Sequence, residues 1–206
     1  MAVRPIVIHG EPVLHRRAVE VETIDEEIRR LIQDMYETLD ASRGVGLAAP
    51  QVGVGLRIFN WKSPVDTGDA PQRGVIINPH LRLIGKISQE TPDPENEVEG
   101  CLSAPGYSYP LKRSDHVEVQ GLDAEGNPIS FEARGWFARI LQHEYDHLDG
   151  YLYVNRLNPR WARRWKKVVK REGWTEPGYS WLPGQDPDPF GHDENEEEAY
   201  EESSRA

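Results

Sequence analysis

The sequence predicts an α+β fold in which antiparallel β-sheets pack around a central helix, with one helix nearer the N-terminus and another nearer the C-terminus. Apolar residues recur at helical spacing in three stretches, 24–39, 136–148 and 160–171. Between the first two stretches, short β-leaning segments are separated by turns rich in Gly and Pro. Mostly antiparallel strands around a few helices are typical of the α+β class.

Charge divides the chain into a body and a tail. The 206 residues carry a formal net charge of −11, but residues 183–206 hold nine acids against one base and account for −8 of it. The remaining −3 falls on residues 1–182. We therefore expect a single domain over 1–182, which includes a basic helix at 159–171, and an acidic tail over 183–206 with too little to bury to fold.

The sequence predicts a cytoplasmic protein with no membrane partner. Its one cysteine, Cys101, excludes an intramolecular disulfide. The N-terminus lacks the long apolar core of a signal peptide, and no apolar run approaches the roughly 20 residues that a membrane helix needs. A reducing compartment also suits a thiol that must stay free.

The N-terminal part of the chain is predicted to hold two short strands and the first helix. Residues 5–8 and 19–22 are β-leaning. Thr23 and Glu26 form a T-x-x-E capping box, and apolar residues follow at helical spacing. This predicts a helix over 24–39 that buries one face.

The middle of the chain is predicted to be mostly strands. The predicted strands are Leu56–Trp61, Gly74–Asn78, Leu81–Ser88, His116–Gly121 and Ile129–Glu132. Residues 63–72 and 91–97 are expected to form loops, and residues 124–127 a hairpin turn between the last two strands.

The stretch 44–53 is rich in glycine and small residues, which suits a place where the backbone closely approaches another group. The simpler interpretation is a tight loop before the next strand. No Lys-Ser/Thr pair follows, so a Walker-type phosphate loop is excluded. Gln51 is the one side chain in this stretch that can donate hydrogen bonds.

The predicted helix 136–148 contains the pattern His-Glu-x-x-His. His143 and His147 are four residues apart and so lie one turn apart on one face, where two imidazoles can bind one metal ion. Glu144 projects beside that ion, where a carboxylate can act on water that the metal activates. Gly150 suits the C-cap of the helix. The pattern also occurs by chance, so a metal site needs a third ligand.

Cys101 is the candidate third ligand. A buried free cysteine is commonly only a small apolar residue, and on the residues alone that alternative stays open. Cys101 is nevertheless the only soft ligand in the chain. A Cys/His/His set with an open fourth position is a sensible catalytic metal site.

Three motifs together resemble, in order and spacing, the signature motifs of bacterial peptide deformylases. They are Gly44-x-Gly46-x-Ala48-Ala49-x-Gln51, Glu99-Gly100-Cys101-Leu102-Ser103 and Gln142-His143-Glu144-x-Asp146-His147. The resemblance spans roughly residues 1–160 and is specific, because three separate motifs agree. The basic helix and the acidic tail lie outside it.

The resemblance implies hydrolysis of the N-formyl group on the initiator methionine of new polypeptides, with release of formate. It implies that the metal ligands are Cys101, His143 and His147. It makes Glu144 the general acid and base, with the Gln51 side-chain amide and the Leu102 backbone N–H facing the oxyanion. It further implies a set of substrate-binding residues, namely the backbone of Val45, Gly46 and Gly100 and the side chain of Ile140 in the methionine pocket.

The resemblance also bears on the metal and on specificity. A thiolate and two imidazoles suit zinc, and ferrous iron is also compatible. The family typically works with Fe2+, which implies one Fe2+ ion here, with Zn2+ or Ni2+ as substitutes. Many family members have an arginine seven residues after the cysteine, whereas this chain has Ser108. The segment 106–109 is therefore expected to shape the rim of the site differently, and fine substrate preference stays open.

Two other functions remain as alternatives. A zincin-like metallopeptidase would take its third ligand downstream of His147, where only His192 and acids of the tail are available. A non-catalytic interaction protein, in which the metal only holds the fold together, would have a closed site with four protein ligands. The sequence offers three obvious ligands.

The helix predicted at 160–171 follows the cap pair Asn158-Pro159 and carries seven bases and no acid. New chains meet a deformylase as they leave the ribosome, so this helix is a candidate contact for ribosomal RNA phosphate. The alternative is a solvated basic face over Trp161 and Trp165, and both interpretations remain open. No sequence-specific nucleic acid is expected.

Overall fold

The computed structural model describes residues 2–65, 67–68 and 70–191, and it confirms the α+β class. The helices are α1 (Glu26–Ala41), α2 (Gly135–Leu148) and α3 (Pro159–Glu172). The strands are β1 (Ile6–Val7), β2 (Gly46–Ala48), β3 (Ile58–Lys62), β4 (Arg73–Leu83), β5 (Val98–Gly100), β6 (Ser108–Pro110), β7 (His116–Leu122), β8 (Pro128–Arg134) and β9 (Ser180–Trp181). Short 3-10 helices occur at Pro12–His15, Ala49–Val52 and Tyr153–Arg156.

A five-stranded antiparallel sheet lies at the centre of the described structure. Its strand order is β2-β3-β4-β7-β8, so β2 is an edge strand. Strand β5 pairs with β6 in a second sheet, and β1 pairs with β9, where Ile6 lies opposite Trp181. The predicted turn between β7 and β8 is confirmed, since Asp123 N donates to Asn127 O at 2.9 Å.

The two faces of the five-stranded sheet carry different helices. On β3, Ile58 belongs to the cluster that includes the buried face of α1, whereas Phe59 and Trp61 belong to the cluster that includes α2. Successive side chains of a strand point to opposite faces, which explains this division. Full burial of such side chains contributes roughly 1.5–3 kcal/mol each. Helix α2 is therefore held firmly against the sheet.

Helix α1 begins two residues later than the sequence predicts. Its N-cap is Asp25, whose Oδ1 accepts a hydrogen bond from Ile28 N at 3.0 Å. The capping box predicted from Thr23 and Glu26 is wrong. A capping box needs its glutamate at the third residue of the helix, whereas Glu26 is the first residue of α1. The predicted buried face is confirmed by Leu31, Ile32, Met35 and Leu39, which are nearly or fully buried.

Strand β4 takes the place of two predicted strands, Gly74–Asn78 and Leu81–Ser88. Asn78 has a φ of 51°, and its side chain forms hydrogen bonds of 2.8 and 2.9 Å with the backbone N–H and carbonyl of Val21. The pairing of β4 with β7 shifts register at this point but continues to Leu83. Residues 84–88 are not a strand, because Ile84 N and Gly85 N both donate to the carbonyl of His116.

Helix α3 confirms the predicted cap. Asn158 Oδ1 accepts hydrogen bonds from the backbone N–H groups of Arg160 and Trp161 at 3.1 and 3.2 Å. Trp165 is buried on the inner face of the helix. Among the helices of the described ranges, none is long and apolar enough to cross a membrane.

Residues 182–191, called here the C-terminal segment, lie against the body, although most of them belong to the stretch expected to remain unfolded. Leu182 N donates to Asp186 Oδ2 at 2.6 Å. The ring of Phe190 packs edge-on against Trp181, with centroids 6.2 Å apart. Residues 192–206 lie outside the described residues, and the division of the chain at residue 182 stays a prediction.

Candidate active site

Helix α2 carries the predicted metal-binding histidines into the interior. It begins at Gly135, whose φ is 55°, and Gly150, just past its end, has a φ of 81° as the predicted C-cap requires. His143 is 8% exposed and His147 fully buried. Their shielding follows from the position of α2 against the central sheet.

Three donor atoms converge beside α2. Nε2 of His147 lies 3.3 Å from Nε2 of His143 and 3.3 Å from Sγ of Cys101. Within the described residues, Cys101, His143 and His147 form a group whose ligand atoms all lie within 4.8 Å of one another. One sulfur and two ring nitrogens aimed at a common point suit a tetrahedral divalent ion with one position left for water or substrate. The three residues can therefore hold a metal.

The two ligand histidines differ in the charge that their surroundings favour. Burial, and then the neighbouring His143 ring, lower the pKa of His147 well below its usual value, so His147 is neutral and its nitrogen is available. Burial opposes a charge on His143 as well, but the Cys101 sulfur and the Glu99 carboxylate raise its pKa well above the usual value. A cation beside Cys101 would interact favourably with the same two groups.

Glu99 fixes the orientation of His143. Its Oε1 accepts a hydrogen bond from His143 Nδ1 at 2.7 Å, which leaves Nε2 facing the donor group. The Tyr153 ring stacks on His143, with centroids 6.0 Å apart and planes 25° apart. Carboxylates bonded to metal-ligating histidines commonly set ring orientation in this way.

A network of ion pairs, buried except for Arg156, supports Glu99 in turn. Arg113 donates to Glu99 at 2.6 and 3.1 Å and to Asp146 at 2.6 Å. Arg156 binds Asp146 with two hydrogen bonds of 2.6 Å, and Arg139 donates to Glu99 at 3.1 Å. Burial alone would raise the pKa of Glu99, but Arg113 and His143 hold it well below the usual range. Glu99 is therefore an anion at neutral pH.

Glu144 lies next to the donor group but outside it. Its side chain is 3% exposed, and its Oε2 has no hydrogen-bond partner among the described residues. Burial raises the pKa of Glu144 to about 7. A carboxyl group with such a pKa can both accept and return a proton near neutral pH.

Gly46 makes room for Glu144. A Cβ atom at position 46 would lie 2.3 Å from Glu144 Oε1 and 2.7 Å from Cδ. Only glycine fits beside the carboxyl group as it stands. The glycine-rich stretch therefore allows the close approach predicted from its composition, and the group approached is a side chain of α2.

Gln51 is held so that its amide nitrogen faces the cysteine. Its Oε1 accepts a hydrogen bond from Ala48 N at 2.8 Å, which fixes the amide. Its Nε2 lies 3.7 Å from Cys101 Sγ and 3.4 Å from Ser103 Oγ. The loop after Cys101 is held from the other side, since Trp181 Nε1 donates to Leu102 O at 3.0 Å.

These groups line a cleft with a volume of about 210 Å³. Nine of the ten residues singled out from the sequence line it, namely Val45, Gly46, Gln51, Gly100, Cys101, Leu102, Ile140, His143 and Glu144. The tenth, His147, lies behind them in the interior. The cleft is also lined by Gly46 of β2 and Gly100 of β5, two strands that each pair with a single neighbour in the described structure.

Several residues that shape the site were not assigned a role from the sequence. Glu99 and Asp146 lie within the quoted motifs, but the Arg113 that joins them carries no local pattern. Trp136, Arg139 and Phe190 also line the cleft. The helical spacing of α2 could have identified both side chains, because Trp136 lies four residues before Ile140 and Arg139 four residues before His143. Phe190 had no such signal.

Residues 106–109 are not among those that line the cleft, and their effect on its rim stays a prediction. Tyr107 and Tyr109 pack against Trp165 of α3, with ring centroids 6.1 and 6.5 Å apart. Ser108 pairs with Gly100 across the β5–β6 sheet and is exposed. Among the described residues, the cleft wall at this end includes Leu102 and Phe190, while 106–109 are absent from it.

A Cys/His/His donor group with an adjacent buried carboxyl group, set in a cleft of an α+β fold, defines a metal-dependent hydrolase. Residues 3–163 match the sequence model of the polypeptide deformylase family, and the chain belongs to that family. Its members are metal-dependent hydrolases that remove the N-formyl group from nascent peptides.

Similar proteins agree with this assignment. Peptide deformylase of Mycolicibacterium paratuberculosis is 51% identical over 198 residues, which cover 93% of this chain and all of that protein. The crystal structure of peptide deformylase from Ehrlichia chaffeensis in complex with actinonin is 40% identical, with a TM-score of 0.70 over 84% of this chain and 99% of the other. The enzyme from Thermus thermophilus is 36% identical, with a TM-score of 0.71 over 82% and 95% of the two chains.

Proposed function

We propose that this chain hydrolyses the N-formyl group of N-formylmethionyl peptides and releases formate, with a metal ion held by Cys101, His143 and His147. The observation that carries the proposal is the convergence of one sulfur and two ring nitrogens, all within 4.8 Å of one another, beside a buried carboxyl group. A divalent ion held there would lower the pKa of water and so supply a nucleophile near neutral pH.

Glu144 moves the proton in this proposal. It accepts a proton from the water that attacks the formyl carbon, and it returns that proton to the amine nitrogen as the carbon–nitrogen bond breaks. Burial raises the pKa of Glu144 to about 7, which suits a group that must act first as a base and then as an acid. The products are formate and a peptide with a free amino group.

Gln51 and Leu102 stabilise the oxyanion that forms on the formyl oxygen. The Gln51 amide is fixed through its oxygen, so its nitrogen stays directed toward the cysteine. The backbone N–H of Leu102 follows Cys101 directly. A preorganised donor of this kind typically lowers the barrier by about 3–4 kcal/mol. The Gln51 amide is held in place before the substrate arrives.

The substrate binds as an extended strand between β2 and β5. The backbone groups of Val45, Gly46 and Gly100 offer hydrogen bonds to it, because all three residues line the cleft and β2 and β5 each pair with a single strand in the described structure. The methionine side chain packs against Ile140.

The metal is proposed to be Fe2+, with Zn2+ or Ni2+ as substitutes. The donor set of one thiolate and two imidazoles is compatible with all three ions. Metal content after purification under anaerobic conditions, followed by activity after reloading with each ion, distinguishes them. Equal activity with every ion would leave no basis for preferring iron.

The decisive experiment measures formate release from a formyl-Met-Ala-Ser peptide by protein loaded with metal under anaerobic conditions. The matched control substrate is acetyl-Met-Ala-Ser, which differs by one methyl group at the scissile acyl group. Release of formate with little release of acetate supports the proposal. Cleavage at a peptide bond would support the zincin-like alternative, and stoichiometric metal binding without hydrolysis would support a purely structural metal.

The geometry favours the deformylase function over both alternatives. A zincin-like site needs a ligand downstream of His147, whereas the third donor that lies within reach in the described part of the chain is Cys101, upstream. A structural site needs four protein donors. The group found among the described residues has three, and it opens on a cleft.

We also propose that α3 contacts the ribosome, in the cytoplasm where the nascent chains emerge. Its seven bases are exposed, while Trp165, Val168 and Val169 are buried against the body. A dense basic face attracts RNA phosphate through a salt-dependent, sequence-independent interaction. The alternative, a basic face that only interacts with solvent, predicts that ribosome binding does not depend on these bases.

Co-sedimentation with ribosomes across a salt series tests this contact. Replacing Arg163, Lys166, Lys167 and Lys170 by alanine should weaken it and flatten its salt dependence, while leaving hydrolysis of a short peptide intact. A control variant with four other exposed bases replaced makes the same change in net charge; the replaced residues are Arg16, Arg17, Arg30 and Lys86. Equal ribosome binding by both variants would refute the contact.

A further inference from the structure

Part of the apolar lining of the cleft is formed by a residue that lies far from the family motifs in the sequence. Phe190 lines the same cleft as Gly44, Leu102 and Ile140, although it lies beyond the region that matches the family. It is partly buried and packs against the hydrophobic cluster that contains Leu102. The C-terminal segment therefore contributes a side chain to the candidate active site.

Phe190 is held in position from both sides. Its ring packs edge-on against Trp181, whose Nε1 donates to the carbonyl of Leu102 at 3.0 Å. Its backbone N–H donates to Asp188 Oδ1 at 2.8 Å. Trp181 itself is fixed by the pairing of β9 with β1. The ring held by these contacts forms part of the cleft surface.

The position of Phe190 relative to Ile140 suggests which part of a substrate it meets. Ile140 belongs to α2, whereas Phe190 belongs to the wall formed with Leu102, and a Cβ atom at Gly44 would lie only 3.0 Å from Leu102 Cδ1. Successive side chains of an extended peptide point to opposite sides. If the methionine side chain packs against Ile140, the next side chain points away from α2, and Leu102 and Phe190 are apolar lining residues that do not belong to α2.

We propose that Phe190 is a specificity-determining residue that contacts the side chain immediately after the formylmethionine and favours a bulky apolar residue there. This inference rests on the proposed function, since it assigns one more part of the same substrate. An aromatic ring offers apolar area to a leucine side chain and very little to glycine. The wall thus distinguishes substrates that share the same formylmethionine.

The test compares formyl-Met-Leu-Ser with formyl-Met-Gly-Ser. In Phe190→Ala, the ratio of kcat/KM for the leucine peptide to that for the glycine peptide should fall about five-fold, because one apolar contact is removed. Phe190→Leu should retain most of the ratio. Tyr179→Ala, which removes a largely exposed aromatic ring two residues before Trp181 and outside the cleft lining, should leave the ratio as in wild type.

Two further measurements separate this role from a structural one. Metal content and Tm identify any variant that is merely unstable, and a stability defect would lower both kcat/KM values without changing their ratio. Calorimetric binding of the deformylated peptides Met-Leu-Ser and Met-Gly-Ser reports the same preference without turnover. Wild-type protein that binds these peptides with the expected preference but releases no formate would refute the proposed function alone. An unchanged ratio in Phe190→Ala, in kinetics and in binding, would overturn the role of Phe190.

Discussion

Replacing Gly46 by alanine should inactivate the candidate site without touching a metal ligand. The new Cβ would lie 2.3 Å from Glu144 Oε1, where contacts under 3.0 Å essentially never occur, so the carboxyl group must retreat by about 0.7 Å. Glu144 is 3% exposed, which leaves it little space to move. A displacement of about 1 Å in a reacting group can cost about 100-fold in rate, and we expect a loss of that order in kcat/KM.

The same substitution should lower stability only moderately. Gly46 does not adopt a positive φ, so alanine introduces a steric conflict without backbone strain. Overpacking of this kind costs about 2 kcal/mol, or about 4–8 °C in Tm for a chain of this size. The control is Gly55→Ala, whose Cβ would meet its nearest neighbour, Val13 Cγ2, at an ordinary 3.7 Å. Metal content near wild type with kcat/KM within two-fold of wild type in Gly46→Ala would refute the reasoning.

Four other perturbations test separate parts of the structure. Glu144→Gln should retain metal and lose roughly 100-fold or more in kcat, because an amide cannot carry the proton; loss of metal instead would make Glu144 a ligand. Cys101→Ser should lose metal on dialysis, since a hydroxyl is a poor substitute for a thiolate, and wild-type metal content would contradict the three-donor site. Burial, and then His15, lower the pKa of His9 to about 4, so the folded protein favours neutral His9. The contribution of neutral His9 to the free energy of unfolding is therefore fully present above pH 6.5 and is lost as the pH falls toward 4. Urea unfolding should show a loss of about 1–2 kcal/mol by pH 5, and this loss should be absent in His9→Gln. A His9→Gln profile parallel to wild type would contradict this assignment. Deletion of residues 192–206, which hold seven acids and few apolar residues, should leave Tm and kcat/KM unchanged, and a fall in either would show that this stretch stabilises the body.

Local spacing was sufficient to predict the core of the site. The interval between His143 and His147 places both rings on one face of α2 through helix geometry alone. Cys101 followed because the chain has no other thiol, and the structure brings its sulfur to 3.3 Å from His147 Nε2. The class of the fold was equally accessible, because periodicity distinguishes the amphipathic α1 from the short strands that follow it.

Long-range contacts explain what the sequence did not reveal. Arg113 joins Glu99 and Asp146, which are separated from it by 14 and 33 positions, and nothing in its neighbours indicates such partners. The start of α1 was predicted incorrectly because Thr23 and Asp25 are both suitable N-cap residues. Only the hydrogen bond from Ile28 N to Asp25 Oδ1 identifies the N-cap. Composition alone cannot anticipate that one phenylalanine in an acidic stretch is held against the body.

The pairing of β1 with β9 has a consequence for synthesis. Ile6 is made early but has no strand partner until Trp181 has been added, and Leu102 O then gains its indole donor as well. A contact between such distant positions closes late in folding, because the intervening chain must already be arranged. A growing chain that ends before residue 181 therefore lacks the hydrogen bond from Trp181 Nε1 to Leu102 O, which holds the loop that follows Cys101. The loop that carries the proposed oxyanion donor therefore gains its hydrogen bond from Trp181 only after residue 181 has been made.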